Sequence, residues 1–287
     1  MSEEISVSLR AQLALERAGF KFSHSLGQNF IFDEGLLDEI ARIAGAYEGT
    51  NVLEIGPGAG MLTYFLASRG ANVLSVELDR GLEGVLNETV GNMKNVSVVF
   101  GDAMKLDLNG LIKDKFGDAP FVIAANLPYY ITADFMLKAV ALSPSPESIT
   151  VMVQSEAADR LLSRPGDDNW CALAAIVSFF CEGERALEVP RSYFTPSPHV
   201  DSALIRLDKR NVRAVENEDT AAFVSFIKAA FSMRRKTLSN CLSSAWGVSR
   251  ENVCAALEKL GLDTKIRGEK LSVTELAQVF YELKGAK

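Results

Sequence analysis

The feature that most constrains this chain is an alternation. Short apolar runs, each the length of a buried strand, are separated by segments with helical periodicity, and the first run ends in a glycine-rich turn. Residues 36–46, LLDEIARIAGA, put Leu36, Leu37, Ile40, Ile43 and Ala44 on one helical face, with Asp38 and Glu39 outside it. Residues 51–55 (NVLEI), 72–78 (NVLSVEL), 96–100 (VSVVF), 121–125 (FVIAA) and 149–153 (ITVMV) then read as strands, with helices over 61–68, 81–90 and 133–142. Strands and helices at this spacing imply an α/β fold built on a doubly wound parallel sheet with helices on both faces. The segment 203–207, ALIRL, is expected as a late edge strand.

From residue 211 the character changes. Residues 211–220 are polar, and 221–232, 251–260 and 272–284 carry helical periodicity with no strand between them, so a small all-helical domain over 211–287 is expected after an α/β domain over 1–210. The net charge of −7 divides unevenly. Residues 1–210 hold 18 Lys+Arg against 28 Asp+Glu, whereas 211–287 hold 12 against 9, so the acidity belongs to the first region alone. A uniformly basic nucleic-acid binder is therefore disfavoured.

The scarce residues exclude other chemistries. His24 and His199 are the only histidines, which leaves little for a histidine metal centre, and no G-x-S-x-G elbow accompanies them; no metal is expected. Cys171, Cys181, Cys241 and Cys254 form no C-x-x-C pair and are expected as buried, reduced thiols. Met1 to Ile5 lacks a secretory pattern, and the longest apolar run, Trp170 to Cys181, has 12 residues where a spanning helix needs roughly 20. No membrane partner and a cytoplasmic location are expected.

Glu54-Ile-Gly56-Pro-Gly58-Ala-Gly60 lies between the first strand and its helix, where backbone N–H groups can face a ligand. Its glycine spacing is tighter than the dinucleotide-binding fingerprint, whose third glycine would fall at Met61. It resembles instead the first motif of S-adenosylmethionine-dependent methyltransferases. Glu77, 21 residues after Gly56 and followed by Leu78, ends the second strand, where a carboxylate can accept both ribose hydroxyls of a nucleoside. Gly101-Asp102-Ala103 follows the third strand and offers a carboxylate for an adenine amino group. All three motifs fall at the C-terminal ends of consecutive strands, where open α/β sheets bind ligands.

Asn126-Leu127-Pro128-Tyr129 follows the fourth strand. Its chemistry suits a planar amine. The lone pair of such an amine is delocalised, and two acceptors, an Asn side-chain oxygen and a backbone carbonyl, can hold both amino hydrogens and favour a pyramidal nitrogen. Pro128 fixes φ and restricts Leu127, which aims the Leu127 carbonyl. Tyr129 supplies a face for an extruded base. No strong general base is required, in keeping with the shortage of histidine.

With these motifs together, the chain resembles the ribosomal RNA adenine dimethyltransferase family, of the type that modifies small-subunit rRNA, from about residue 24 to residue 281. Further matches are His24-Ser-Leu-Gly-Gln-Asn-Phe30, Phe194-Thr-Pro-Ser-Pro-His-Val-Asp-Ser202 and Phe231-Ser-Met-Arg-Arg-Lys-Thr-Leu238. The resemblance implies a Rossmann-like methyltransferase domain using S-adenosyl-L-methionine. It implies that Gln28, Asn29 and the Ile31 backbone close over that cofactor, with Gly56, Gly58, Glu77, Leu78, Asp102, Ala103 and Asn126 completing the site. Asn126, Leu127, Pro128 and Tyr129 would be catalytic, and Phe194 would sandwich the target adenine against Tyr129. The implied substrate is a pair of adjacent adenines in a 3′-terminal hairpin of small-subunit rRNA, within an assembling ribosomal particle, met by a monomeric enzyme. Trp170-Cys171 replaces a Tyr-Gly pair usual in the family, and the N-terminal extension through about residue 20 is acidic; both bear on the substrate mouth.

Arg234-Arg235-Lys236 lies in the one region of positive balance and is expected on a helix, tracking RNA phosphates, with Lys265, Arg267 and Lys270 in the same domain. Three other readings stay open: a large-subunit rRNA methyltransferase of the erythromycin-resistance kind, a protein glutamine methyltransferase holding an amide by the same two acceptors, and a non-catalytic ribosome-assembly factor.

Overall fold

The computed structural model describes residues 5–23 and 26–285. His24 and Ser25, which open the first of the family-like motifs, lie outside the described residues, as do residues 1–4.

The chain divides into two compact units, residues 1–158 with 183–209, and residues 159–182 with 210–287. The first unit carries a seven-stranded sheet ordered β4-β3-β2-β5-β6-β9-β7. Its strands are β2 (Asn51–Ile55), β3 (Asn72–Glu77), β4 (Val96–Phe100), β5 (Phe121–Asn126), β6 (Ser148–Gln154), β7 (Cys181–Val189) and β9 (Ser202–Lys209). The five strands from β4 to β6 are mutually parallel, as the alternation predicts. Chain order runs outward from β2 to β4 and then returns to β5 on the other side of β2. A topological switch point therefore lies between β2 and β5, where a crevice opens beyond the strand ends.

Segment 203–207 is not at an edge. It belongs to β9, which pairs antiparallel to β6 (Val151 with Ile205) and is covered on its other side by β7. Its continuous apolar run, buried from Ser202 to Ile205, is that of an interior strand. The edge strand β7 reads CEGERALEV and is mostly polar and solvent-facing, which hides it from an apolar-run search.

The N-terminal segment is more than an acidic extension. Helix α1 (Val7–Arg17) starts at Ser6, whose hydroxyl accepts the Leu9 N–H, and buries Val7, Ala11, Ala14 and Leu15, a spacing that makes one apolar face. It packs on α3 (Met61–Ser68) and α4 (Glu83–Val90). After it come β1 (Phe30–Ile31) and α2 (Glu34–Ile43), the latter capped by Asp33. The strand β1 pairs antiparallel with the short β8 (Phe194–Thr195). Also in this unit, α5 (Leu108–Phe116) precedes β5 and α6 (Thr132–Val140) follows it, while α7 (Ser155–Leu161) runs out of β6 across the division.

The second unit is helical: α8 (Ala172–Phe180), α9 (Thr220–Ala230), α10 (Leu238–Ala245), α11 (Arg250–Lys259) and α12 (Val273–Leu283). A boundary at 210 thus assigns residues 159–182 to the wrong side. The physical reason is α8, an entirely apolar helix but for Ser178, which packs on α9 and α12. Its Phe179 stands 5.1 Å from Phe223, which lies 5.4 Å from Phe280, while Phe226 meets Trp246 at 5.0 Å. Edge-on aromatic pairs of this kind bury large apolar areas and add a favourable ring–ring geometry to the core of this unit. Cys181 and Cys241 are buried, whereas Cys171 and Cys254 are only half-buried, so the expectation of four buried thiols holds for two of them. No helix among the described residues is long and apolar enough to cross a membrane.

Candidate active site

The glycine turn after β2 has Gly56, Gly58 and Gly60 all at positive φ. At Gly58 the requirement is double: φ is +58°, and an added Cβ would lie 2.9 Å from the Phe30 ring. Beneath the turn, Glu54 is 1% exposed. Its Oε2 accepts the hydroxyls of Thr63 and Ser75, both at 2.6 Å, while Oε1 has no partner among the described residues. Burial pushes its carboxyl up to about 7, against the pull of those two hydroxyls.

Glu77 ends β3 beside this turn. One carboxylate oxygen accepts the Gly58 N–H at 3.0 Å and the other the Asp79 N–H at 2.7 Å, so the side chain ties the glycine turn to the strand end. Burial raises its carboxyl above the usual range, and these N–H groups oppose the rise. Asp79 in turn accepts from Gln28 Nε2 at 2.8 Å. On the neighbouring strand end, the Asp102 carboxylate accepts the Met104 N–H at 2.9 Å and has Lys105 at 3.2 Å, which hold it below its ordinary range. Lys138 on α6 fastens this loop: its Nζ donates to the carbonyls of Ala103, Met104 and Leu106 at 2.8–3.0 Å.

At the end of β5, Asn126 Nδ2 donates to the Asn29 carbonyl at 2.9 Å. That bond fixes the amide, so Oδ1 is the free end. Among the described residues neither Asn126 Oδ1 nor the Leu127 carbonyl accepts a hydrogen bond, although the Leu127 N–H donates to the Met152 carbonyl at 3.2 Å. Pro128, at φ −55°, leads into a single 3₁₀ turn over Tyr129–Ile131, and Gly27 comes within a methyl's width of it. The Tyr129 hydroxyl sits 3.2 Å from that of Ser202, and burial keeps the phenol above its ordinary range, hence neutral.

One cleft of about 720 Å³, partly open to solvent, is lined by Gln28, Asn29, Gly56, Gly58, Glu77, Leu78, Asp102, Ala103, Asn126 and Pro128. Ten of the sequence-derived residues thus meet at one place, the strand ends of the switch point. Four do not line it. Ile31 faces a smaller cavity behind the glycine turn, Leu127 is buried, Tyr129 stands behind Pro128 with its ring half-covered, and Phe194 is 4% exposed. Phe194 pairs with Ile31 across β1 and β8 and makes no ring contact with Tyr129 among the described residues. Its ring therefore has almost no face free for a base in this conformation. The cleft also gains Tyr130, 57% exposed, and Phe30, neither of which periodicity could single out.

In the helical unit, Arg234, Arg235 and Lys236 are exposed but not helical. They occupy the turn between α9 and α10, because Thr237 caps α10 just after them. Arg234 and Lys236 line a wide, open depression together with Arg160, Arg267, Trp170 and Cys171, and Arg235 does not line it. The Trp170 indole N–H donates to the Leu271 carbonyl at 3.2 Å, so this departure from the family pattern is packed inside the helical unit. Among the described residues no three His, Cys, Asp or Glu side chains are grouped as a metal site requires.

Comparison with known proteins places the chain in a family. The sequence profile of the family described as "Ribosomal RNA adenine dimethylase" matches residues 19–284. The chain is 39% identical over 281 residues to "Ribosomal RNA small subunit methyltransferase A" of Bacillus licheniformis, covering 96% of each chain. Among solved structures it is similar to a dimethyladenosine transferase from Plasmodium falciparum, with 26% identity, TM-score 0.71, and coverage of 87% of this chain and 95% of that one. It is also similar to the 23S rRNA methyltransferase ErmE, with 28% identity, TM-score 0.68, and coverage of 89% and 100%.

Proposed function

This chain belongs to the ribosomal RNA adenine dimethylase family, and from that premise we propose that it carries two methyl groups from S-adenosyl-L-methionine to the N6 amine of each of two adjacent adenines in a 3′-terminal hairpin of small-subunit rRNA. Small-subunit rRNA is preferred over the large subunit because the relative at 39% identity is named for the small subunit, against 28% for the 23S enzyme. The observation that carries the chemistry is the pair of unclaimed acceptors, Asn126 Oδ1 and the Leu127 carbonyl, beside the cleft.

The side chains fit the cofactor. Glu77 has one N–H on each oxygen, and a carboxylate has about four lone-pair sites, so two remain for ribose hydroxyls. Asp102 has one partner on each oxygen and keeps lone pairs for an adenine amine, Leu78 and Ala103 give apolar contact, and Gly58 allows close approach. S-adenosyl-L-methionine supplies, when bound, a methyl group on a positively charged sulfur. In the first transfer Asn126 Oδ1 and the Leu127 carbonyl accept hydrogen bonds from the two amine hydrogens, and in the second one of them holds the single hydrogen left, which frees the lone pair to attack the methyl as its bond to sulfur breaks and a neutral thioether leaves. The amine becomes far more acidic on alkylation and loses its proton to water, so the protein needs no base. Tyr129, neutral and tethered to Ser202, offers its ring to the base. Arg234, Arg235 and Lys236 meet phosphates of the particle, and the helical unit serves as its RNA-binding part. The same reading has the protein acting in the cytoplasm, as a monomer, on a small subunit still being assembled.

Labelled S-adenosyl-L-methionine and under-methylated small subunits test it. Dimethyladenosine in the rRNA is expected; label in a protein glutamine, or none with folded protein that binds the particle, overturns it in favour of the glutamine or assembly-factor reading.

A further inference from the structure

Asp79 takes no part in the chemistry above, yet it stands between the cofactor cleft and the segment that crosses it. Its Oδ2 accepts from Gln28 Nε2 at 2.8 Å, and Gln28 Oε1 in turn accepts the Ser23 N–H at 2.7 Å. Its own N–H donates to Glu77 Oε1 at 2.7 Å, and Glu77 Oε2 accepts the Gly58 N–H at 3.0 Å. An unbroken hydrogen-bonded chain therefore runs from Ser23 through Gln28, Asp79 and Glu77 to the glycine turn.

Residues 26–31 are moored unevenly. Phe30 and Ile31 are held by backbone pairing with β8, and the Phe30 ring packs at 5.3 Å from Phe22 and 6.1 Å from Phe20 while lying on Gly58. Residues 26–29 have no strand pairing. Two side-chain bonds tie them across the cleft: Asn126 to the Asn29 carbonyl at one end, and Gln28 to Asp79 at the other. Only the second joins a carboxylate, and a bond to a charged acceptor is the stronger kind.

We propose that Asp79 is a positioning residue: it latches residues 26–29 over the cleft and so sets cofactor affinity rather than the rate of methyl transfer. The proposal rests on the reading of the cleft as an S-adenosyl-L-methionine site. Because Asp79 reaches the segment and Glu77 at once, a ligand that engages Glu77 stabilises the same arrangement that Gln28 needs. Closure of the segment and occupation of the cleft then favour one another.

Asp79 also caps the turn over Arg80–Leu82 through the Gly81 N–H at 2.9 Å, so simple loss of that cap must be separated from loss of the latch. Asp79→Asn does this. It keeps an oxygen for Gly81 but puts an NH₂ opposite the Gln28 NH₂, and turning Gln28 over to relieve that would leave the Ser23 N–H facing a donor. Gln28→Ala cuts the latch and leaves the cap whole.

The experiment combines calorimetric titration of S-adenosyl-L-methionine with hydrogen exchange of the ligand-free protein, for Asp79→Asn, Gln28→Ala and the double variant. Expected are a roughly tenfold rise in Kd for Asp79→Asn with kcat at saturation kept within about threefold, and exchange at residues 26–29 faster by roughly tenfold in both single variants and no faster in the double. Exchange in α4 stays at the wild-type rate. Wild-type exchange at 26–29 in Asp79→Asn overturns the latch, as do effects that multiply in the double variant or a fall in kcat with unaltered Kd. Failure of the wild type to bind S-adenosyl-L-methionine overturns the cofactor reading instead, and the exchange arm still decides whether the latch exists.

Discussion

The two ends of the cleft handle their polar groups in opposite ways. At the Glu77 end nearly everything is engaged: both Glu77 oxygens take backbone N–H groups, Asp79 takes Gln28 and Gly81, and Lys138 closes on three carbonyls of the Asp102 loop. At the Asn126 end the amide nitrogen is tied down, while Asn126 Oδ1 and the Leu127 carbonyl are left free among the described residues. The lesson is a division of work. A holding end is rigid because its groups satisfy one another, and an acting end must keep acceptors unspent for the reacting amine.

The largest expected effect is at the acting end. Asn126→Ala removes one of the two acceptors and the bond to Asn29, and should lower the single-turnover methylation rate by about 10²–10³-fold, as loss of one preorganised hydrogen-bonding group does elsewhere. Glu77→Ala breaks the holding end. It strands the N–H groups of Gly58 and Asp79 at about 1–3 kcal/mol each, so calorimetry should find S-adenosyl-L-methionine binding weakened at least 100-fold and thermal melting should find a lower Tm. Binding to the small subunit should persist under the proposal that the helical unit makes that contact.

Beneath the turn, Glu54 gives a pH signature. Its folded carboxyl is pushed up to about 7 from an ordinary 4.5, so between those values the folded state holds a proton that the unfolded state has released. The sign is therefore destabilising as pH rises: this group's penalty grows from about pH 4.5 and is complete above about 7, reaching about 3 kcal/mol. Denaturant unfolding of Glu54→Gln at pH 5 and pH 8 should give a variant that gains on the wild type at the higher pH. Equal differences at both would break the idea. Smaller again, Lys138→Met frees the Ala103, Met104 and Leu106 carbonyls and should weaken cofactor binding about tenfold, read by the same calorimetry. Smallest is Lys105→Ala. Its ion pair with Asp102 is largely solvated, and melting should move by no more than about 0.5 kcal/mol.

The holding end was far more legible in the sequence than the device that fastens it. Strands β3 and β5 end in Glu77 and Asn126, Gly56 and Gly101-Asp102 follow β2 and β4 directly, and parallel pairing brings those ends level: Ile55 lies beside Val76 and Ala125, Glu77 beside Phe100. Local spacing therefore sufficed for the site residues at these strand ends, whereas Gln28 and Asn29 came only with the family resemblance. What it missed depends on partners distant in sequence. Asp79 meets Gln28 across 51 positions, the place of β9 inside the sheet depends on pairing with β6, and α8 joins the helical unit through aromatic contacts no local pattern reveals. Two misses were local. The Val7, Ala11, Ala14, Leu15 spacing of α1 was available, and Thr237 marks a helix start that sets Arg234 to Lys236 in a turn. The burial of Phe194 could not be read from F-x-P-x-P at all, since it follows from pairing with Ile31.

The division of work is tested most directly by measuring, on the Asn126→Ala protein, the S-adenosyl-L-methionine dissociation constant beside the single-turnover transfer rate to under-methylated small subunits. An acting end predicts a rate lower by about 10²–10³-fold with Kd changed by less than about tenfold. A Kd that weakens as much as the rate falls would make Asn126 another holding group and contradict the account.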